Sequence, residues 1–329
     1  MDEAARRRRR GEARRRVRRQ RAVVAVAGTG LILVTAVVLL GGSGGARSRQ
    51  PRAGPGPGAN AAHRSLRPIE LPEGGREILP SHRVVAFYGA PGDPRLGVLG
   101  RGAPDRIAHT LKRQARAYGA AGRSVLPALE LITTVATSSP GTDGTYSARQ
   151  PASVVRRYLS AARHAGELLI LDLQPGRSDF LTEARIYEPF LREPDVSLAL
   201  DPEWQLGPGQ TPDQQIGSTD ASTINRTSAY LAGIVAAGRL PQKLLIVHQF
   251  TGNMIRQRDQ IVSRGGLAIT INVDGFGDPP NKIARYRALS DPRPGLYHGF
   301  KLFYTQDTHL MNPAQVLRLR PRPSLIVYQ

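Results

Sequence analysis

Eight short apolar runs, each followed by a polar or helical stretch, constrain the fold of this chain more than any other sequence feature. These runs predict β-strands over residues 84–88, 125–131, 168–173, 196–200, 244–248, 267–272, 300–304 and 325–328. Runs such as LLIL, LLIV and LAITI are apolar at every position, which is typical of strands buried on both faces. The stretches between them predict helices over residues 104–118, 152–165, 179–191, 227–237, 253–263, 282–289 and 313–319.

This alternation predicts an α/β fold. Strands that alternate with helices pair in parallel through crossover connections. Eight such units in about 250 residues match a closed (β/α)8 barrel, or TIM barrel. An open, doubly wound sheet is the alternative, but the first strand is followed by FYGAPGDP, which lacks the glycine pattern of a dinucleotide-binding turn.

The first 80 residues differ from the rest of the chain. Residues 22–41 carry no charge and are long enough to cross a bilayer, whereas residues 1–21 contain eleven arginines and three acids. This asymmetry predicts a transmembrane signal anchor at 22–41, with a cytoplasmic Arg-rich segment at 1–21. A cleaved signal peptide is the alternative. Residues 42–80, rich in Gly, Pro, Arg and Ser, predict a disordered, flexible linker to an extracytoplasmic barrel at 81–329.

Charge and cysteine content exclude several classes of function. The formal net charge is +20, but residues 1–52 contribute +11 of it, and the rest contains no basic run. We therefore expect no nucleic-acid partner. The chain has no cysteine, which excludes a thiolate nucleophile, a Cys-ligated zinc site and a lipid-anchored N-terminal cysteine.

Polar side chains follow the apolar runs directly, where a barrel of this kind carries its functional residues. Buried carboxylates are costly without partners, so acids at these positions indicate function. The candidate catalytic residues are Asp172, Asp201, Glu203 and Asp274. The candidate substrate-binding residues are Tyr88, Glu130, Trp204, His248, Gln249, Asn272 and Tyr304.

The sharpest local pattern is LALDPEW, with Asp201 and Glu203 two residues apart. Side chains alternate along a strand, so both carboxylates are expected on the same side. Mutual repulsion and burial beside Trp204, the only tryptophan, would raise a carboxyl pKa, as a general acid for glycosidic cleavage requires. The alternative is a D-P-E turn in which Asp201 caps the following segment and Trp204 packs against a helix.

An apolar fourth strand that ends in D-x-E resembles the pattern of glycoside-hydrolase barrels, notably the lysozyme-type muramidases and, more loosely, the chitinases. The resemblance implies that Glu203 is the proton donor and that Asp201 assists it. Its specific part is this one tripeptide. The muramidases also place acids at strand one and after strand eight, whereas here the first carboxylate is Asp93 and the chain ends at Gln329.

Two hypotheses for function remain open. The first is a membrane-anchored glycoside hydrolase that acts on a cell-envelope polysaccharide or peptidoglycan glycan. The second is an inactive barrel that binds wall glycan or a partner protein. We expect no metal and no cofactor, although His248 with Asp172, Glu130, Asp274 and His309 offers an alternative metal site.

Overall fold

The computed structural model describes residues 68–290 and 293–329, and in these residues eight parallel strands form a closed barrel. The barrel strands are β1 (His82–Gly89), β2 (Ser124–Ala136), β4 (Leu168–Leu173), β5 (Val196–Leu200), β7 (Lys243–Gln249), β9 (Leu267–Val273), β10 (Leu296–Leu302) and β11 (Leu325–Tyr328). Three short strands lie outside it: β3 (Ser147–Arg149), β6 (Thr219–Asp220) and β8 (Ile255–Arg256).

Pairing of β1 with both β2 and β11 closes the barrel. Val84 lies opposite Leu126 on one side and Leu325 on the other. All barrel neighbours pair in parallel, β3 pairs antiparallel with the end of β2, and β6 pairs with β8. The predicted (β/α)8 architecture is therefore confirmed.

Helices connect the barrel strands on the outside. They are α1 (Pro104–Ala115), α2 (Ala152–Ala165), α3 (Phe180–Ile186), α4 (Glu188–Leu191), α5 (Ala221–Gly238), α6 (Pro279–Leu289) and α7 (Pro313–Leu317). Helix α5 begins six residues before its predicted start because the Asp220 side chain accepts a hydrogen bond from the Thr223 backbone and caps it.

Two apolar layers follow from the alternation of side chains along each strand. On β1, Val85 and Phe87 pack outward against the helices, whereas Val84 and Ala86 pack inside the barrel. The same alternation continues around the barrel, so every second residue of each strand points to the interior. At the carboxyl ends these interior positions are polar.

Two predicted elements differ from the structure. The predicted helix at 253–263 is wrong: this segment contains β8 and a 3-10 helix over Arg258–Gln260, and Gln257 has a φ of 51°. Strand β10 spans 296–302 rather than 300–304, because the apolar sequence FKLFY continues past the end of strand pairing.

The packed region begins before residue 81. Leu71, Ile78 and Leu79 are buried in the interior layer, although the sequence assigned them to the linker. The Gln242 side-chain oxygen accepts hydrogen bonds from the backbone of Ile78 and Leu79, at 2.7 and 2.8 Å. The segments predicted at 1–21 and 22–41 lie outside the described residues. Within residues 68–290 and 293–329, no helix is long and apolar enough to cross a bilayer.

Glu167, just before β4, is fully buried, and neither of its carboxylate oxygens makes a hydrogen bond within the described part of the chain. Burial raises the pKa of Glu167 to about 8, and the opposing influence of Lys112 is smaller. The ordinary glutamate pKa is about 4.3. The folded state therefore loses stability, relative to the unfolded state, as the pH rises from about 4.3 toward about 8.

We predict that Glu167→Met raises the free energy of unfolding by roughly 1–3 kcal/mol at pH 9, because it removes a buried carboxylate without partners. The gain should shrink as the pH falls below the folded-state pKa. Urea denaturation at pH 5, 7 and 9 measures it, with the exposed Glu70→Met as control. A gain of the same size at all three values would contradict the assignment.

Candidate active site

A pocket opens at the carboxyl ends of the barrel strands. Four carboxyl groups line it, contributed by Asp201, Glu203, Asp213 and Asp274. Its other polar and aromatic lining side chains include Tyr88, Arg95, Gln174, Trp204, Phe250, Phe276, Lys301, Phe303, Gln306 and Gln329. Acids and aromatic rings in one concave site are typical of a ligand-binding pocket.

The segment after β5 places Asp201 and Glu203 in this pocket. The strand ends at Leu200, and Pro202–Trp204 form a turn of 3-10 helix, with the Trp204 amide donating to the Asp201 carbonyl at 3.1 Å. This turn therefore brings both carboxyls to the pocket. The prediction that strand alternation places them on the same side is wrong, because the strand ends before Asp201. The Gly217 amide donates to the Glu203 carbonyl at 2.7 Å, and a Cβ at Gly217 would lie 2.3 Å from the Gln205 carbonyl oxygen. Glycine is therefore required at this contact.

The Glu203 carboxyl is suited to donate a proton at neutral pH. Burial, followed by the nearby Asp201 and Asp274, raises the pKa of Glu203 to about 8, against the opposing influence of Lys301 and His248. Burial is also the largest cause that raises the pKa of Asp201, to about 7. Neither side chain forms a hydrogen bond with another described residue, so both are available to a ligand.

Asp274 and Lys301 form an ion pair at the base of the pocket. The Lys301 Nζ lies 3.3 Å from Asp274 Oδ2 and 3.6 Å from the centre of the Tyr88 ring. Asn272 donates a hydrogen bond to Asp274 Oδ1 at 2.7 Å. Burial opposes the charge of Asp274, but His248 and Lys301 outweigh it, and the pKa of Asp274 is lowered.

A fully buried polar layer lies beneath the pocket. It consists of Glu130, Asp172, His248 and Asn272, none of which lines the pocket. His248 Nδ1 lies 2.9 Å from Asp274 Oδ2, and Nε2 lies 2.9 Å from Glu130 Oε1 and 3.4 Å from Asp172 Oδ2. Burial lowers the pKa of His248, but Asp274 and Glu130 reverse this and raise it well above its usual value.

Tyr88 connects the two layers. Its ring meets His248 edge to face, with centroids 5.9 Å apart, and its hydroxyl accepts a hydrogen bond from Gln174 at 3.0 Å. Burial and the surrounding carboxylates, Asp172 first, raise the pKa of Tyr88 well above its usual value. The phenol therefore stays protonated and lines the pocket as a neutral group.

Besides Glu130, His248 and Asn272, two further predicted substrate-binding residues, Gln249 and Tyr304, lie away from the pocket lining. Gln249 is buried and accepts a hydrogen bond from Arg258 at 2.7 Å, while its own amide donates to the Thr251 carbonyl. Tyr304 stacks on Tyr328 with ring centroids 5.2 Å apart, beside Arg101. Both side chains stabilise the surroundings of the barrel mouth rather than face its centre.

Several pocket residues were not predicted as site residues. Lys301 had a signal, because a lysine within the apolar run FKLFY points inward and needs a buried partner. Asp213 lies on the loop that follows the D-P-E turn, with a φ of 67°. The phenylalanines at 250, 276 and 303 gave no signal, since exposed and buried phenylalanines look alike in a loop sequence.

A buried ion pair connects two loops of the pocket wall. Lys282 Nζ lies 2.9 Å from Asp307 Oδ2 and donates to the carbonyls of Gly275 and Lys301. Asp307 accepts hydrogen bonds from the amides of Gly277 and Phe303, at 3.0 and 2.9 Å. These contacts position Phe276 and Phe303, whose rings meet edge to face 6.1 Å apart.

Comparison with known proteins assigns no family. No family model matches the chain, and no curated protein matches it. A GH18 chitinase from Pseudoalteromonas aurantia is similar in structure, with 10% identity, a TM-score of 0.37, and coverage of 75% of this chain and 93% of the other. A His-tagged D-allulose 3-epimerase from Methylomonas sp. has 11% identity, a TM-score of 0.35, and coverage of 75% and 84%. Likenesses this low carry no argument about function.

We predict that Lys282→Met lowers the free energy of unfolding by about 3–5 kcal/mol, because it leaves the buried Asp307 carboxylate without its cation. Urea denaturation at neutral pH measures the loss. Arg287→Met, on the exposed face of the same helix, is the matched control and should change stability by about 0.5 kcal/mol or less. Equal effects of the two substitutions would contradict a stabilising role for the ion pair.

Proposed function

We propose that this protein is a glycoside hydrolase and that Glu203 is its general acid. The observation that carries the proposal is a carboxyl group that lines the pocket, makes no hydrogen bond to another described residue and has a pKa of about 8. At neutral pH such a group is protonated and can donate its proton to the oxygen of a glycosidic bond as that bond breaks.

Glycosidic cleavage also needs an ionised carboxylate near the acid. Asp274 fits this role by geometry, because it lines the pocket and its two oxygens accept contacts from Lys301 and Asn272. We propose that it stabilises the positive charge that develops on the sugar or orients the attacking water. Asp201 lies with Glu203 on the same turn and assists it by keeping the proton on Glu203.

The pocket wall suits a sugar ring. Trp204 follows Glu203 directly, and Phe250, Phe276 and Phe303 add further aromatic surface. Aromatic faces pack against the apolar faces of a pyranose, while Gln174, Gln306 and the carboxyls offer hydrogen-bond partners for its hydroxyls. The substrate class that we propose is accordingly a polysaccharide, in the cell envelope or as peptidoglycan glycan.

The proposed location outside the cytoplasm rests on the sequence. Residues 22–41 form an uncharged run flanked on one side by the arginines of residues 1–21, and this pattern supports a single-pass anchor with a cytoplasmic N-terminus. A barrel tethered in this way has access to envelope glycans.

We predict that the purified chain releases reducing ends from a panel of cell-wall and capsular glycans, and that Glu203→Gln lowers this activity by at least about 100-fold. The rate should fall as the pH rises through about 8, because Glu203 then loses the proton that it donates. Glu70→Gln, at an exposed position outside the pocket, is the control and should keep full activity. Melting temperatures of all three proteins exclude misfolding as the cause.

Trp204 provides a separate readout of binding. It is the only tryptophan, so tryptophan fluorescence, excited selectively over that of the ten tyrosines, reports on the pocket. If glycans change this fluorescence but neither the unmodified chain nor Glu203→Gln cleaves them, the barrel is a binding module. If Glu203→Gln cleaves as fast as the unmodified chain, Glu203 is not the acid.

A further inference from the structure

Three side chains from three different barrel strands converge in the buried layer beneath the pocket. Glu130 on β2, Asp172 on β4 and His248 on β7 are each fully buried. One ligand-type atom from each of the three lies within 4.8 Å of the others. Neither Glu203 nor Asp274, the two carboxyls to which we assign catalytic roles, belongs to this group of three.

The oxygens of this group lack hydrogen-bond donors. His248 Nε2 carries at most one hydrogen, which the nearer Glu130 Oε1 accepts at 2.9 Å. Glu130 Oε2 and both oxygens of Asp172 make no hydrogen bond with any described residue. Buried carboxylates without donors cost several kcal/mol unless they are paired or coordinate a metal.

We infer that Glu130, Asp172 and His248 bind a divalent transition-metal ion through His248 Nε2 and one oxygen of each carboxylate. With metal–ligand distances of about 2.0–2.2 Å, neighbouring ligand atoms lie about 3.0–3.5 Å apart. His248 Nε2 lies 2.9 Å from Glu130 Oε1 and 3.4 Å from Asp172 Oδ2, close to that range. A mixed set of imidazole and carboxylate ligands suits Zn²⁺ and Mn²⁺.

The far side of the histidine has the arrangement that metal sites use. Ligating histidines donate their second ring N–H to a carboxylate, which fixes the tautomer and the orientation of the ring. His248 Nδ1 lies 2.9 Å from Asp274 Oδ2. When Nδ1 donates its hydrogen bond to Asp274, Nε2 carries no hydrogen and its lone pair points toward Glu130 and Asp172.

The charges of the buried layer also favour a divalent cation. Glu130, Asp172 and Asp274 together carry three negative charges when ionised, and Lys301 contacts Asp274 as a cation. A protonated His248 would leave one negative charge uncompensated in the interior. A divalent ion beside a neutral His248 leaves none, which removes the cost of an unpaired buried charge.

This proposed site goes beyond the proposed glycosidase and differs from the expectation, drawn from the sequence, that no metal is bound. The ion would lie beneath the pocket and fix His248, which in turn positions Asp274 at the pocket base. Its first effect is therefore on the stability of the fold, and that effect needs no substrate to be measured.

The test uses the full chain without a histidine tag, treated with EDTA and then titrated with Zn²⁺ or Mn²⁺ in a calorimeter. We expect one ion per chain and a melting temperature that rises by several degrees on binding. Asp172→Asn and His248→Gln should each lower the affinity by at least about tenfold. His109→Gln, at an exposed position on α1, is the matched control and should bind as the unmodified chain does.

Two results would overturn the inference. One is the absence of binding of either ion at micromolar concentrations; the other is equal affinity in the unmodified chain, Asp172→Asn and His248→Gln. Should His248→Gln fail to fold, Asp172→Asn alone decides, because asparagine keeps the size of the side chain. Failure of the glycosidase assay leaves these readouts unchanged, so the two proposals are tested separately.

Discussion

The alternation of side chains along eight parallel, closed strands determines where chemistry is placed in this protein. Each strand points every second residue into the barrel, and closure through β1 leaves these residues no route to solvent except at the strand ends. Over most of the strand length the interior residues are apolar. Toward the carboxyl ends the interior residues include Glu130, Asp172, His248, Asp274 and Lys301. Closure of the barrel brings these buried polar groups close together, so they contact one another rather than water.

The polar groups at the carboxyl end of the barrel lie in two layers, and pairing distinguishes the two. In the lower layer, His248 lies between Glu130 and Asp274, 2.9 Å from an oxygen of each, and these two contacts fix the orientation of its ring. In the upper layer, Glu203 and Asp201 lie on a short turn with no such contacts, and burial shifts their pKa values upward. A group that is desolvated but not paired keeps its proton, whereas Asp274, in contact with Lys301 and His248, remains charged. The proposal that Glu203 donates a proton rests on this difference.

The barrel and most of its polar centre could be predicted from the sequence, because both follow from local patterns. Continuous apolar runs located seven strands well, and an acid directly after such a run indicated Asp172, Asp201 and Asp274. The roles of Gln249 and Tyr304 could not be predicted, because their partners, Arg258 and Tyr328, are brought near by folding. The prediction of a helix at 253–263 is wrong because contacts formed on folding also determine this segment. The pairing of β8 with β6 and the hydrogen bonds of Arg258 outweigh its weak helical preference.

The ion pair that supports the pocket wall could not be predicted from the sequence. Lys282 and Asp307 lie 25 positions apart and do not line the pocket, yet their contacts position the loops that carry Phe276 and Phe303. Such an ion pair has no local signature, since a lysine on a helix is ordinarily exposed. Its role emerges only when the loops of adjacent strands are placed side by side.

A crystal structure of the Glu203→Gln variant with a bound oligosaccharide tests the role of Glu203 most directly. If Glu203 is the general acid, a sugar ring lies on Trp204 and a glycosidic oxygen lies about 2.6–3.2 Å from the side chain at position 203. An oligosaccharide bound with its glycosidic bonds away from position 203, or outside this pocket, would contradict this role.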